Sequence, residues 1–226
     1  MPRPGLGRVP APEEVARAAS LYPVTRRIDY RTATNTYKYW WQGGAWLDQG
    51  QTGTCVGHAF AHRRADSPVP KGGIDSAYAM KLYLDASGDS TYQVGTNAVY
   101  ACRVLKERGT ISDYSWVTSA EELRNTVLAV GSVCVGTAWF ESMFDPYSKY
   151  SAKYLRVDPS SGIAGGHEYL INGLNLQPTY GRPYYRLKNS WGTSWGSKGT
   201  ARIYCADLED LLFNRNGDAV IVAEAL

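Results

Sequence analysis

Apolar periodicity changes character partway along the chain, and that change limits the folds open to it. In the first half, apolar side chains recur at helical spacing. Cys55 to Arg64 places Val56, Ala59, Phe60 and Arg63 on one face, and Ile74 to Ala86 repeats Ile74, Ala77, Tyr78 and Leu82 before Gly88. Asn97 to Arg108 carries Ala98, Val99, Cys102 and Leu105 and stops at Gly109, and Ser119-Ala-Glu-Glu122 reads as a capping box opening a helix to about Val130. After residue 131 short runs rich in Val, Ile and Tyr take over: Ser132–Thr137, Glu168–Asn172, Tyr184–Lys188, Ala201–Tyr204 and Ala219–Ala223. Helices grouped before strands predict an α+β fold of two lobes, with a cleft between them as the expected place for a site. The expected division is a Pro-rich arm at 1–26, a mainly helical lobe at 27–118 and a β-rich lobe at 119–226. The arm carries Pro2, Pro4, Pro10, Pro12 and Pro23, with a short helix expected at Glu13–Ala19. It is either disordered or removed, or it packs across the lobes or onto a partner protein.

At 226 residues the chain is long enough to bury a core. Its net charge of +3 (24 − 21) comes from scattered residues and does not call for a nucleic acid or an anionic membrane as partner. The longest stretch without a charged residue, Asn125 to Phe140, is too short and too interrupted by glycine to span a bilayer. Met1–Glu14 lacks an apolar h-region, so a cytoplasmic or virion-associated protein is expected. The 28 Trp, Tyr and Phe residues (7 + 17 + 4) suit β-rich packing and a cleft that holds an extended polymer.

Four cysteines at 55, 102, 134 and 205 form no CxxC pair, which excludes a zinc ribbon or a thioredoxin-type motif. Cys102, Cys134 and Cys205 read as small buried hydrophobes. Cys55 differs. It follows Gln49-Gly-Gln-Thr-Gly-Thr and opens a helix, where unpaired first-turn N–H groups favour a thiolate. A base must come from three histidines. His58 and His62 lie on the same helix as Cys55 and read as surface or lobe-packing residues. Their i,i+4 spacing suits a metal, but no third ligand follows in a matching motif. His167, in Gly165-Gly166-His167-Glu168, stands at a strand start on the edge of the β half. Asn189 ends another strand in Lys188-Asn189-Ser-Trp191-Gly-Thr-Ser-Trp195-Gly196, and its amide oxygen can fix an imidazole's orientation.

Together these three segments, in the order Cys, His, Asn, resemble the papain-like cysteine peptidases. The resemblance covers about Arg27–Leu226. It implies a two-lobe fold with a helical lobe bearing the nucleophile, an antiparallel β-barrel-like lobe and an active-site cleft between them. Ile28-Asp-Tyr-Arg31 looks like the family's entry strand and Gly131-Ser-Val-Cys-Val135 like the strand that opens the β lobe. By position, the resemblance makes Cys55 the nucleophile, paired as thiolate with a His167 imidazolium that Asn189 orients. Gln49 and the Cys55 amide would stabilise the oxyanion. Trp191 would shield the Asn189–His167 bond, and Gly95, Thr96 and Gly166 would line the backbone of an extended substrate.

The resemblance also implies an endopeptidase with a polypeptide substrate, and no cofactor or metal. Departures are Thr52 where the family has a disulfide cysteine, Val56 in place of tryptophan, Glu168 after the histidine, and an arm too short for a folded inhibitory propeptide. They look like the small, disulfide-poor members in bacteria and phages. Trp139, Met143 and Phe144 are candidates for a specificity pocket, although core packing suits each of them. Two other readings stay open: a Cys–His amidase acting on cell-wall peptides, and a catalytically idle fold serving in a virion or in adhesion.

Overall fold

The computed structural model describes residues 3–11, 35–40, 46–66 and 68–224. The helix expected at Glu13–Ala19 and the entry strand at Ile28–Arg31 lie outside the described residues.

Five helices form. Helix α1 (Cys55–Ala65) is buried on every side, as suits an element packed between others. Helix α2 (Ser76–Ser87) is capped by the Asp75 carboxylate, which accepts from the Tyr78 N–H at 2.8 Å, and ends at Gly88 in the left-handed conformation (φ 69°). Helix α3 (Ala98–Glu107) is capped in the same way by Asn97. Helix α4 (Ala120–Ala129) is capped by Ser119, which accepts from the Glu122 N–H. The Glu122 carboxylate returns to the Thr118 N–H at 2.7 Å, so the expected capping box closes one residue early. Helix α5 (Cys205–Phe213) lies in the half expected to be β-rich.

Among the described residues nine strands join one sheet: β1 (Tyr37–Tyr39), β2 (Ile111–Trp116), β3 (Val133–Phe140), β4 (Tyr147–Lys149), β5 (Ala152–Tyr154), β6 (Ile163–Asn175), β7 (Tyr184–Lys188), β8 (Thr200–Tyr204) and β9 (Asp218–Glu224). Their order is β2-β9-β3-β6-β7-β8-β5-β4, with β1 paired to the end of β6. Pairing is antiparallel except for β5 against β8. The architecture is α+β, and the sheet stays open rather than closing as a barrel. A closed barrel has one inner face, whereas this sheet buries both.

Period-2 alternation divides the faces. Val133, Val135, Tyr169, Ile171 and Leu187 pack with Leu123 and Val127 of α4 and Leu208 and Leu211 of α5. Cys134, Leu170, Val220 and Val222 point the other way, onto Cys55, Val56 and Phe60 of α1 and Cys102 and Leu105 of α3. Strands β1 and β2 come from the half expected to be helical. Each is stabilised by its partner, β6 and β9 respectively, and not by an apolar alternation of its own. All four cysteines are free and buried. No helix among the described residues is long and apolar enough to cross a membrane.

Candidate active site

Cys55 is the first residue of α1, so its side chain starts where the helix leaves its first N–H groups unpaired. Thr54 makes no side-chain cap; its hydroxyl lies 2.7 Å from Thr52 Oγ1 and 3.2 Å from His58 Nδ1. Burial dominates the thiol and pushes its pKa up to about 12, although the N–H groups of Glu168, Gly7 and Val56 at the sulfur favour the thiolate. The Glu168 amide belongs to the residue next to His167, so the start of α1 and the middle of β6 meet at this sulfur.

His167 sits opposite Thr137 in the β3–β6 register. Its Nε2 lies 2.8 Å from Asn189 Oδ1. The Ser190 N–H also donates to Oδ1 at 2.8 Å, which identifies that atom as oxygen, and so Nε2 carries the ring proton. Nδ1 has no hydrogen-bond partner and retains a free lone pair. The ring is fully buried. Trp191 stacks on it at 4.7 Å between centroids, and Trp139 meets it edge-on at 4.8 Å. Aromatic contacts of this kind contribute about 0.5–1.5 kcal/mol each beyond area burial. Burial lowers the imidazole pKa to about 4 against the opposing bond to Asn189. Burial thus opposes charge on both the thiol and the imidazole, while the amides at the sulfur and the bond to Asn189 favour it. From the N-terminal segment, the Gly7 N–H lies at the sulfur.

Gln49 is aimed from its other end. Ser190 Oγ donates to Oε1 at 2.6 Å, which leaves Nε2 to donate to the Thr52 carbonyl at 2.8 Å and to the Gly5 carbonyl at 3.1 Å. An arm carbonyl thus occupies a donor that a substrate oxygen could use.

Residues 3–11 lie across the lobes, one of the two readings open for the arm. The Gly5 N–H donates to Gly50 O at 2.9 Å. Gly7 and Arg8 N–H both donate to Gly166 O at 3.1 and 3.0 Å, Thr96 N–H donates to Gly7 O at 2.9 Å, and Val9 N–H donates to Thr96 O at 2.8 Å. Thr96 and Gly166 therefore pair with the chain's own arm, and Gly95 lies against Gly7. Side chains at Gly5 and Gly7 would overlap the backbone of Thr52 and Gly53, so this path is open to glycine at those two positions. Arg3 pairs with Glu141 at 2.5 Å and lies over the Phe144 ring. Its groove, about 780 Å³, is also lined by Asp48, Trp191 and Trp195.

His58 and His62 are buried, not on the surface. His58 Nδ1 lies 3.0 Å from the Thr54 carbonyl, and His62 Nε2 accepts from the Leu47 N–H at 3.2 Å. Burial lowers both pKa values. Among the described residues no group of three His, Cys, Asp or Glu could hold a metal. Of the three specificity-pocket candidates, Met143 is core and Phe144 lines the Arg3 groove, while Trp139 supports the imidazole. Sequence reasoning missed that role of Trp139, although its place two residues beyond Thr137 on the same face was available from period-2 alternation. It also missed Gly136 and Asp218, which meet Glu168 across the sheet. An aspartate opening an apolar strand was their one signal.

A buried Cys at a helix start, a His–Asn pair roofed by tryptophan and a glutamine amide in one cleft define a class of thiol-dependent site. The model of the papain family cysteine proteases matches residues 35–210, and the chain belongs to that family. It is 29% identical over 156 residues to procathepsin L of Felis catus, covering 67% of this chain and 41% of that protein. It is 25% identical over 185 residues to digestive cysteine proteinase 1 of Homarus americanus, covering 81% and 48%. The chain thus spans less than half the length of these curated relatives. Among solved structures it is similar to xylellain, a cysteine protease from Xylella fastidiosa, with a TM-score of 0.72 at 15% identity over 100% of this chain and 99% of that one.

Proposed function

We propose that this chain is a cysteine peptidase hydrolysing peptide bonds in polypeptides, with Cys55 as nucleophile. The observation that carries this reading is the His167 ring, protonated at Nε2 by its bond to Asn189 and unpartnered at Nδ1, beside the strand amide that touches the Cys55 sulfur. With the cleft open, His167 Nδ1 takes the thiol proton and the sulfur attacks the scissile carbonyl carbon. The C–S bond forms as the carbonyl π pair moves to oxygen, where Gln49 Nε2 and the Cys55 N–H receive it. Collapse of this intermediate breaks the C–N bond, and His167 gives its proton to the leaving amine. Water then attacks the thioester, His167 takes its proton, and the thiol leaves with the proton returned. Asn189 holds the ring orientation throughout, and Trp191 keeps water from the bond that does so.

Loss of one oxyanion donor in comparable sites costs about 3 kcal/mol. Gln49→Ala is therefore expected to lower kcat on a peptide substrate about a hundredfold with the fold intact by circular dichroism; unchanged turnover removes Gln49 from the mechanism. Casein and purified peptidoglycan digested side by side test the substrate class, and exclusive release of cell-wall peptides rejects the polypeptide reading.

The same geometry makes residues 3–9 a block that must leave before substrate binds. Removing the two charged hydrogen bonds of Arg8 to Asp218, worth about 3 kcal/mol or more together, is expected to raise the open population at least about a hundredfold. An open cleft rehydrates the thiol and lets its pKa fall from about 12, so more thiolate is present at pH 8. Arg8→Ala should then accelerate Cys55 alkylation by iodoacetamide at pH 8 at least tenfold. An unchanged rate dismisses the segment as a block.

A further inference from the structure

Tyr185, Leu187 and Ile203 of β7 and β8 pack on the side of α5, so Arg186 and Arg202 stand on the opposite face of the sheet. There the two arginines are directly opposite each other in the β7–β8 register. Like charges so placed repel. Arg186 lies over the Tyr39 ring, 5.3 Å from its centroid, and Arg202 lies over Tyr184 at 4.3 Å and donates to the Tyr154 hydroxyl at 3.1 Å. These rings hold the guanidinium groups in place without neutralising them. A hollow of about 330 Å³ opens beside the arginines, and Lys153, Lys198 and Trp46 also line it. Among its described lining residues there is no aspartate or glutamate. Lys188, the next residue of β7 on this face, already has Asp66.

Two further observations mark the hollow as a binding surface. Lys198, exposed at its rim, has a left-handed backbone (φ 53°), a conformation that asparagine or glycine adopts at less cost. Its turn is fixed by bonds from the Ser197 N–H to Thr200 O and from the Gly199 N–H to Trp195 O, both at 2.7 Å. A long cation is thus kept where a smaller residue would sit more easily. Lys153, in turn, lines both the hollow and the groove that holds Arg3, so the hollow continues the cleft. The groove is acidic, with Asp48, Glu141 and Asp145 along it, and the sign of charge reverses at Lys153. The arm runs from Gly7 at the Cys55 sulfur to Arg3 in the groove, a reach of at most about 14 Å.

We infer that the hollow between Lys153, Arg186, Lys198 and Arg202 is an exosite of the proposed peptidase that binds an acidic run of its polypeptide substrate, about five or more residues from the scissile bond on the end that crosses the Arg3 groove. The inference rests on the peptidase reading above and adds its substrate class. Carboxylates suit the hollow because each guanidinium offers them paired donors, and an anion between Arg186 and Arg202 offsets the repulsion of the facing charges. Continuity with the cleft through Lys153 favours a segment of the substrate itself over a separate polyanion.

The test uses the full chain and fluorogenic peptides that share one core sequence and carry a run of Glu or of Gln at the amino or the carboxyl end, begun about five residues from the scissile bond. Glu is expected to exceed Gln in kcat/KM by about tenfold at one end at low salt, mainly through KM, and the advantage should shrink as added salt shortens the screening length. Lys153→Gln and Lys198→Asn should each cut the Glu/Gln ratio by about threefold or more. Lys198→Asn also relieves the left-handed lysine, so its Tm should not fall, which separates lost recognition from lost folding. Where the arm keeps turnover too low to read, the same ratio is taken from the rate of Cys55 labelling by peptidyl epoxides bearing the two extensions. Equal rates for Glu and Gln at both ends overturn the exosite alone, as does a Glu preference that both variants keep. Heparin that raises Tm while Glu and Gln peptides are treated alike assigns the hollow to a sulfated polysaccharide and also overturns it. Absence of any cleavage, together with no labelling of Cys55 by either epoxide, overturns the peptidase reading and this one with it.

Discussion

Cys55→Ala is expected to lower peptide hydrolysis by about 10⁵-fold or more and to leave the fold in place. Each step of the proposed mechanism passes through this sulfur, and residues acting as one unit each cost nearly the full effect when removed. The remaining rate over water would come from binding and from the Gln49 amide. The substitution removes one buried sulfur from an apolar cluster with Val56, Phe60 and Cys102, which costs about 1 kcal/mol of stability. The measurement is kcat/KM on a cleaved peptide, paired with mass spectrometry after an epoxide label. Cys102, Cys134 and Cys205 are buried too, and burial raises all three thiol pKa values. One label per chain is therefore expected in the natural sequence and none in the variant. Retained hydrolysis in Cys55→Ala removes the proposed nucleophile.

The second large effect is on stability. Lys188 Nζ lies 3.0 and 3.1 Å from the two oxygens of Asp66, and both side chains are fully buried. Burial lowers the Lys188 pKa while Asp66 opposes this. Asp66 ends α1, and Lys188 is the last residue of β7, immediately before Asn189. The pair therefore ties the helix that begins with Cys55 to the strand that delivers Asn189. Removing one partner of a buried ion pair takes away its attraction and its two hydrogen bonds and costs about 3–5 kcal/mol. Lys188→Met is expected to lower Tm by about 6–20 °C at pH 7, since 1 kcal/mol is worth about 2–4 °C in a chain of this size. Calorimetry decides: a fall below about 2 °C means the pair does not stabilise the fold.

Local order was legible where chain-local interactions control it. Tyr184–Lys188 matches its strand end for end, because a short apolar run bounded by Pro183 and Asn189 has little freedom to slide. Helices capped by Asp75, Asn97 and Ser119 start within two residues of expectation, because the cap is a bond between near neighbours. Strand β6 runs five residues earlier than Glu168. Gly165 and Gly166 look like a loop, but pairing with Trp139 and Ala138 of β3 holds them in the sheet. Ile111–Trp116 became a strand because β9 offered it an edge.

By itself the sequence determined the chemistry: which residue types, in which order and on which kind of element, supply a thiol, an imidazole and an amide. Those choices are encoded by residue identity and by spacing within a few positions. Tertiary structure alone decided that Asp218 and Glu168 flank Gly136, that Trp139 supports His167, and that the arm's Arg8 reaches a carboxylate 210 positions away. These contacts arise from strand register and from the burial of two sheet faces, and neither is written in any local pattern.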